Sequence, residues 1–296
     1  MKIYRIILIA FSLFVTSSAL AFKSGPIEYQ PIPRLIDDNL CSVIKCDKNV
    51  RGRIEVPYNV SRDWSNYQVE SIQLGAFQEC EMEEIQLPNS IRTIGGSAFN
   101  RCPNLRVVEI KGNGLKFIEV GAFSYCQKLE SINLPNNVKM IGDNAFNSCI
   151  SLKKICFGAE MTSLGQNAFA WCSALESVEI NGPIGEISNG AFMGCTSLKV
   201  ITLRSARKIC SWAFQRSGLQ AVAIGPYIHT IEFGAFDSCS SLTEVYITAA
   251  KPPKAQGAFS YNAMPRMTLY VPAAYVEAYR SHPDWKNFGQ IIPYNF

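Results

Sequence analysis

Histidine is almost missing from this chain: its 296 residues contain two, His229 and His282. No third group is recognisably placed to complete a Ser-His-Asp or Cys-His arrangement around either. No H-E-x-x-H, phosphate-cradling glycine loop or calcium-loop pattern occurs. The acidic residues are scattered, so they nominate no pair of glycosidase carboxylates. Nothing in these patterns argues for an enzyme, a cofactor or a metal site. Charge is sparse as well. At 18% Asp, Glu, Lys and Arg, the composition fits neither a disordered protein nor a coiled coil.

Long apolar runs are scarce too, and the single one is N-terminal. Lys2 and Arg5 precede an apolar stretch from Ile6 to Val15, and Ala19-Leu20-Ala21 supplies small residues at the −3 and −1 positions. This is the pattern of a secretory signal peptide over residues 1–21, too short for a spanning helix and followed by no immediate charged anchor. With no second such run, the mature chain is expected to be soluble, without a transmembrane segment and monomeric. Losing Lys2 and Arg5 reduces the 28 basic side chains against 24 acidic ones, leaving a net charge of about +2. Binding to nucleic acid or an anionic membrane needs a concentrated basic face, and the sequence gives no support for either partner.

What the chain has in abundance is a repeat. Ala-Phe recurs at 76–77, 98–99, 122–123, 145–146, 168–169, 191–192, 213–214, 235–236 and 258–259, in steps of 22 to 24 residues. A period in the twenties is the signature of a solenoid whose repeats pack only on their neighbours. The aligned unit reads A-F-x-x-C-x-x-L-x-x-I-x-L-P, then a variable turn, then V-x-x-I-G. Its L-x-x-I-x-L part alternates as a strand buried on one side does. Pro88 and Pro135 end their strands. The second apolar pair, such as Val138 and Ile141, is expected in a short segment on the opposite wall, with Ala-Phe in a tight turn or single helical turn. The expected fold is a mainly β repeat solenoid: a right-handed coil of about nine repeats with a parallel sheet and a C-terminal helical cap.

This unit closely resembles the BspA-like class of leucine-rich repeats, known from surface and secreted proteins of Bacteroidetes and some parasitic protists. The resemblance covers about residues 54–272. It implies a leucine-rich-repeat fold, and for function only the adhesion or ligand-binding roles such surface proteins carry. Leu269-Tyr270-Val271-Pro272 and the residues that follow also resemble the family's C-terminal end. Ser217 and Asn262 depart from the repeat Cys, and Cys210 stands where the copies at Gly95, Gly142 and Gly165 carry Gly.

Residues 22–53 are read as an N-terminal linker and cap, 54–272 as the solenoid and 273–296 as the C-terminal cap. A helix from Pro272 to about Ser281 should stop at His282-Pro283, with Trp285, Phe288, Ile291 and Ile292 folding back over the last coil.

The eleven cysteines divide by position. Cys80, Cys102, Cys126, Cys149, Cys172, Cys195 and Cys239 share one repeat position. A file of thiols does not converge as tetrahedral zinc ligands must, and stacked parallel side chains have poor disulfide geometry. They read as small buried hydrophobes, unbonded to one another. Cys41 and Cys46 lie outside the repeat in an exported chain, and a local disulfide between them is expected. Cys156 falls at an outward strand position.

The outward strand positions are the candidate ligand site. In the first five copies they are mostly polar. From Val200 and Thr202 onward, through Ala221, Ala223, Glu244, Tyr246 and Tyr270, the face turns small and apolar with aromatic anchors, the composition of a contact surface. The reading is an exported, non-enzymatic scaffold that binds a protein or glycan ligand on a host or neighbouring cell through its sheet face. Two alternatives stay open: a structural envelope spacer with no specific ligand, and a carbohydrate-active or proteolytic enzyme with an unrecognised site.

Overall fold

The computed structural model describes residues 21–32 and 39–295, and the signal-like segment at 1–20 lies outside them. Each repeat makes one turn of a coil with two walls and an arc joining them. The first wall carries the L-x-x-I-x-L strands. Arg53–Glu55, Glu84–Leu87, Val107–Ile110 and Ser131–Ile132 pair in parallel, as do Lys154–Phe157 with Ser177–Ile180. Val200–Leu203, Ala221–Ile224, Glu244–Ile247, Thr268–Pro272 and Gln290–Tyr294 complete the wall, again in parallel.

The second wall is built from two-residue strands ending at the Ile of V-x-x-I-G, such as Thr93–Ile94, Phe117–Ile118 and Met140–Ile141. A Cβ on Gly142 would lie 2.7 Å from the Val120 nitrogen, and one on Gly165 2.3 Å from the Asp143 nitrogen. At these two coils glycine rests directly on the backbone of the coil before it, while Glu119, Ser188 and Glu232 fill the same position in other coils. Cys210, at the same repeat position, keeps the bond pattern, its N–H donating to the Ile187 carbonyl at 2.8 Å.

The Ala-Phe arc is a chain of consecutive turns and not a helical turn. Its amides alternate in direction. Ala98, Asn100 and Cys102 donate within the coil to Gly95, Ser97 and Phe99, while Ser97, Phe99 and Arg101 donate to Val120, Ala122 and Ser124 of the next coil. Turning every second amide toward the neighbour places the residues two before and two after Phe in the left-handed region, as at Ser97 (φ 53°) and Arg101 (φ 57°). Asn144 and Asn167 hold that conformation where other coils use glycine.

The core is the stack itself. Nine phenylalanines, Phe77 to Phe259, form one column with neighbouring ring centroids 4.9–5.7 Å apart and planes within 9° of parallel. These distances lie in the range of offset aromatic stacking. One coil could not bury such a ring; a coil on each side does.

Both ends of the stack are covered. Residues 22–31 and 40–46 are largely strands: Phe22–Ser24 and Ile27–Pro31 pair antiparallel, and Leu40–Cys46 then pairs parallel with Ser65–Ile72 of the second wall. At the other end, a 3-10 turn over Ala273–Tyr275 leads into the helix Val276–Ser281. Trp285 is fully buried, edge-on to Phe259, and its Nε1–H donates to the Pro253 carbonyl at 2.8 Å. Arg280 donates to the Ile291 carbonyl on the last strand at 3.1 Å. Ile291 packs inward, but Ile292 does not fold over the last coil: strand alternation turns it to the outer face, beside Tyr270.

Candidate binding face

Parallel register aligns the outward side chains of the first wall in rows along the solenoid. Val200, Ala221, Glu244, Thr268 and Gln290 form one row, and Thr202, Ala223, Tyr246, Tyr270 and Ile292 the next. All seven residues singled out from the sequence therefore sit on one continuous five-stranded surface. Val200 is 56% exposed; Thr202 is exposed and the other five are half-buried.

Tyr246 and Tyr270 stack at 4.4 Å with planes 7° apart. Tyr294 closes the group edge-on, 5.5 Å from Tyr246 and 5.7 Å from Tyr270. The Tyr246 hydroxyl donates to Glu244 Oε2 at 3.0 Å. Burial among the rings, then the Glu244 carboxylate, push the Tyr246 hydroxyl up to about 12, so it remains a neutral donor. Tyr294 was not among the sequence-derived residues. Its signal was the alternation Gln290, Ile292, Tyr294 along the last strand, which turns all three to the same face.

The opposite end of the same wall is polar and tied to itself. Arg53 bonds Gln86 at 2.6 Å and Glu109 at 2.9 Å, and lies 3.5 Å from Glu84. Gln86 in turn donates to Glu55 at 2.8 Å. Between the two ends the wall is interrupted. The Asn133 amide accepts from the Ile110 N–H at 2.8 Å and donates to the Ile110 carbonyl at 3.0 Å, imitating a strand partner. Beyond it, a hollow of about 500 Å³ opens between Ser131 and Lys154, with Cys156 on its rim.

The repeat thiols form a ladder of a different kind from the one their spacing alone suggests. Six of the seven donate to the phenylalanine carbonyl one coil back: Cys102 to Phe77 at 3.0 Å, Cys126 to Phe99 at 2.9 Å, Cys149 to Phe123 at 3.2 Å, and Cys172, Cys195 and Cys239 likewise, while Cys80, in the first coil, turns to the Cys46 and Asp47 carbonyls of the N-terminal cap. None is bonded to another cysteine. Burial pushes Cys172 up to about 12 and Cys239 up to about 11. At neutral pH these two are thiols, which are neither nucleophiles nor good metal ligands.

The expected Cys41–Cys46 disulfide is not formed. Both residues are buried and unpaired on the single strand Leu40–Cys46. Five residues along a strand is about 16 Å, and a disulfide spans only about 4.4–6.8 Å between Cα atoms. Sequence proximity suggested a local bridge, and the extended backbone holds the pair apart. Cys156 faces outward as expected, with its sulfur 3.5 Å from both Glu179 Oε2 and Asn181 Nδ2. Burial and then Glu179 raise its pKa. Among the described residues, no cluster of three or more His, Cys, Asp or Glu side chains is arranged to hold a metal ion. No helix among them is long and apolar enough to cross a membrane.

This geometry has known counterparts. The coordinates are similar to a leucine-rich repeat protein from Bacteroides ovatus, with a TM-score of 0.61 and 22% identity, over 92% of this chain and 88% of that one. They are also similar to a leucine rich repeat protein of T. pallidum, with a TM-score of 0.56 and 25% identity, over 75% of this chain and 90% of that one. Among curated proteins, none matches the chain. A profile of the BspA type leucine rich repeat region matches residues 63–176 and 162–270, in six copies. That span is the one over which Phe column and thiol ladder run, and the chain belongs to the BspA type leucine rich repeat family.

Proposed function

We propose that this chain is an exported, non-enzymatic binding scaffold that holds a protein or glycan ligand, on a host or neighbouring cell, through the C-terminal half of its sheet face. The observation that carries the reading is the Tyr246–Tyr270–Tyr294 cluster beside Ala221, Ala223 and Val200. Rigid aromatic anchors amid small apolar side chains are the composition of interface hot spots, and tyrosine supplies large contact area at little entropic cost. The export reading rests on Lys2, Arg5 and the apolar run to Ala21.

The test is binding of the purified chain to immobilised host matrix proteins and glycans, beside a variant carrying Tyr246→Ala and Val200→Asp. Truncating one anchor and adding one charge should cost about 2 kcal/mol or more, roughly a thirtyfold loss of affinity. A saturable ligand that binds both forms equally places the site elsewhere.

A further inference from the structure

A second surface, on the Ala-Phe arc, exposes large aromatic side chains. Trp171 and Trp212 adopt left-handed backbone, at φ 63° and 58°, which is strained for a bulky residue. Both indoles remain exposed, at 43% and 44%. Trp212 occupies the position two before Phe, where five of the nine coils place glycine. Trp212 and Phe233 lie on adjoining coils at the edge of the arc before Phe, and Trp171 and Tyr261 at the edge after it; Phe233 and Tyr261 are 66% and 73% exposed.

The rings are seated rather than loose. A Cβ on Gly194 would come within 2.4 Å of Trp171 Cε3, one on Gly234 within 2.7 Å of Trp212 Cδ1, and one on Gly257 within 2.6 Å of Phe233 Cδ2. Each ring thus lies against the glycine of the next coil and offers its remaining surface to solvent. The polar groups between the rings are amides and hydroxyls held in place. Asp237 accepts from Gln215 Nε2 at 3.0 Å and Ser260 Oγ at 2.8 Å, and the Ser238 N–H donates to Ser260 Oγ at 2.9 Å. Those donors, Gln215 first, hold the Asp237 carboxyl below its usual range, so it stays an ionised, occupied acceptor.

We infer that this arc is a binding site for a neutral polysaccharide. Flat aromatic faces stack on the C–H faces of pyranose rings, and fixed amides and hydroxyls exchange hydrogen bonds with sugar hydroxyls. Successive coils stand 5.0–5.7 Å apart at the adjoining Phe column from Phe169 to Phe259, a rise comparable to one unit of an extended β-linked chain. Of the charged side chains on these arcs, Asp237 and Glu232 are engaged within the fold and Arg216 is exposed; so low a charge favours a neutral polymer over an anionic one and over a charged protein surface. This site is separate from the sheet face, and neither reading depends on the other.

Affinity electrophoresis and titration calorimetry of the full chain against β-glucan, xylan, mannan and galactan, with polygalacturonate and fibronectin as contrasts, test the inference. Binding to a neutral glycan is expected, with little dependence on salt because no counterions are released. Trp171→Ala and Trp212→Gly should each weaken it about fivefold to tenfold, while Tyr246→Ala leaves it unchanged. Trp212→Gly relieves the left-handed strain, so this variant should melt no lower than the parent, separating loss of binding from loss of fold. The inference is overturned if folded chain binds no neutral glycan, if it binds only polygalacturonate or only fibronectin, or if glycan binding survives both tryptophan substitutions.

Discussion

At the scale of the residue, cysteine is where the sequence was read most correctly and also least completely. Seven copies at one position, with Ser217 and Asn262 as substitutes, identified a small side chain in a buried turn. The hydrogen bond to the phenylalanine carbonyl one coil back was not legible, because it joins residues 25 to 27 apart through the stack. Ser217 preserves the polarity of the position and meets the Cys239 sulfur at 3.3 Å. Cys156 is the exception on the outer face, and its chemistry is testable. The thiolate is the nucleophile in alkylation. Its pKa is raised by burial and by Glu179, so maleimide labelling should speed up as pH rises through that pKa. Glu179→Gln removes part of the upward shift and should accelerate labelling at pH near 8. Peptide mapping should find Cys156 modified before any ladder cysteine in the native chain. Equal labelling of Cys126 would contradict its burial.

At the scale of the element, the repeat unit predicted which segments are strands but not how the arc between them is built. Alternating apolar residues specify a half-buried strand directly. Alternating amide direction is a property of two coils together, and its local trace is only a preference for Gly, Asn or Ser two residues before Phe. Tolerance at that position allows Trp212; the position after the Ile of V-x-x-I also varies from coil to coil, with Glu119, Ser188, Cys210 and Glu232, but Gly142 itself sits hard against the coil before it. Gly142→Ala would drive a methyl to within 2.7 Å of the Val120 backbone nitrogen, and backbone cannot move aside without shifting a whole coil. This substitution should destabilise the chain by about 2 kcal/mol or more, read as a lower midpoint in urea. An unchanged midpoint would mean that the coils are not in direct contact there. The N-terminal strands were less visible for a similar reason. The strand Leu40–Cys46 is held by pairing with Ser65–Ile72, a partner no local pattern names.

For the whole molecule, periodicity made the scaffold legible because every coil must bury the same two walls and the same ring. The proposed ligand face was only partly legible, since it depends on departures from the repeat. Alternation correctly placed Val200 through Tyr270 on one surface, and register brought Tyr294 to them from the chain end. The motif residues are inside and specify the solenoid, while the variable outward residues are left to specify a partner. Hydroxyl-radical footprinting of the chain, free and bound to a matrix protein captured in the binding screen, tests that division of labour most directly. The account predicts that Tyr246, Tyr270 and Tyr294 lose reactivity together in the complex, while Phe117 and Met140 on the second wall keep theirs. Unchanged tyrosines with protection of Phe117 and Met140 would contradict it.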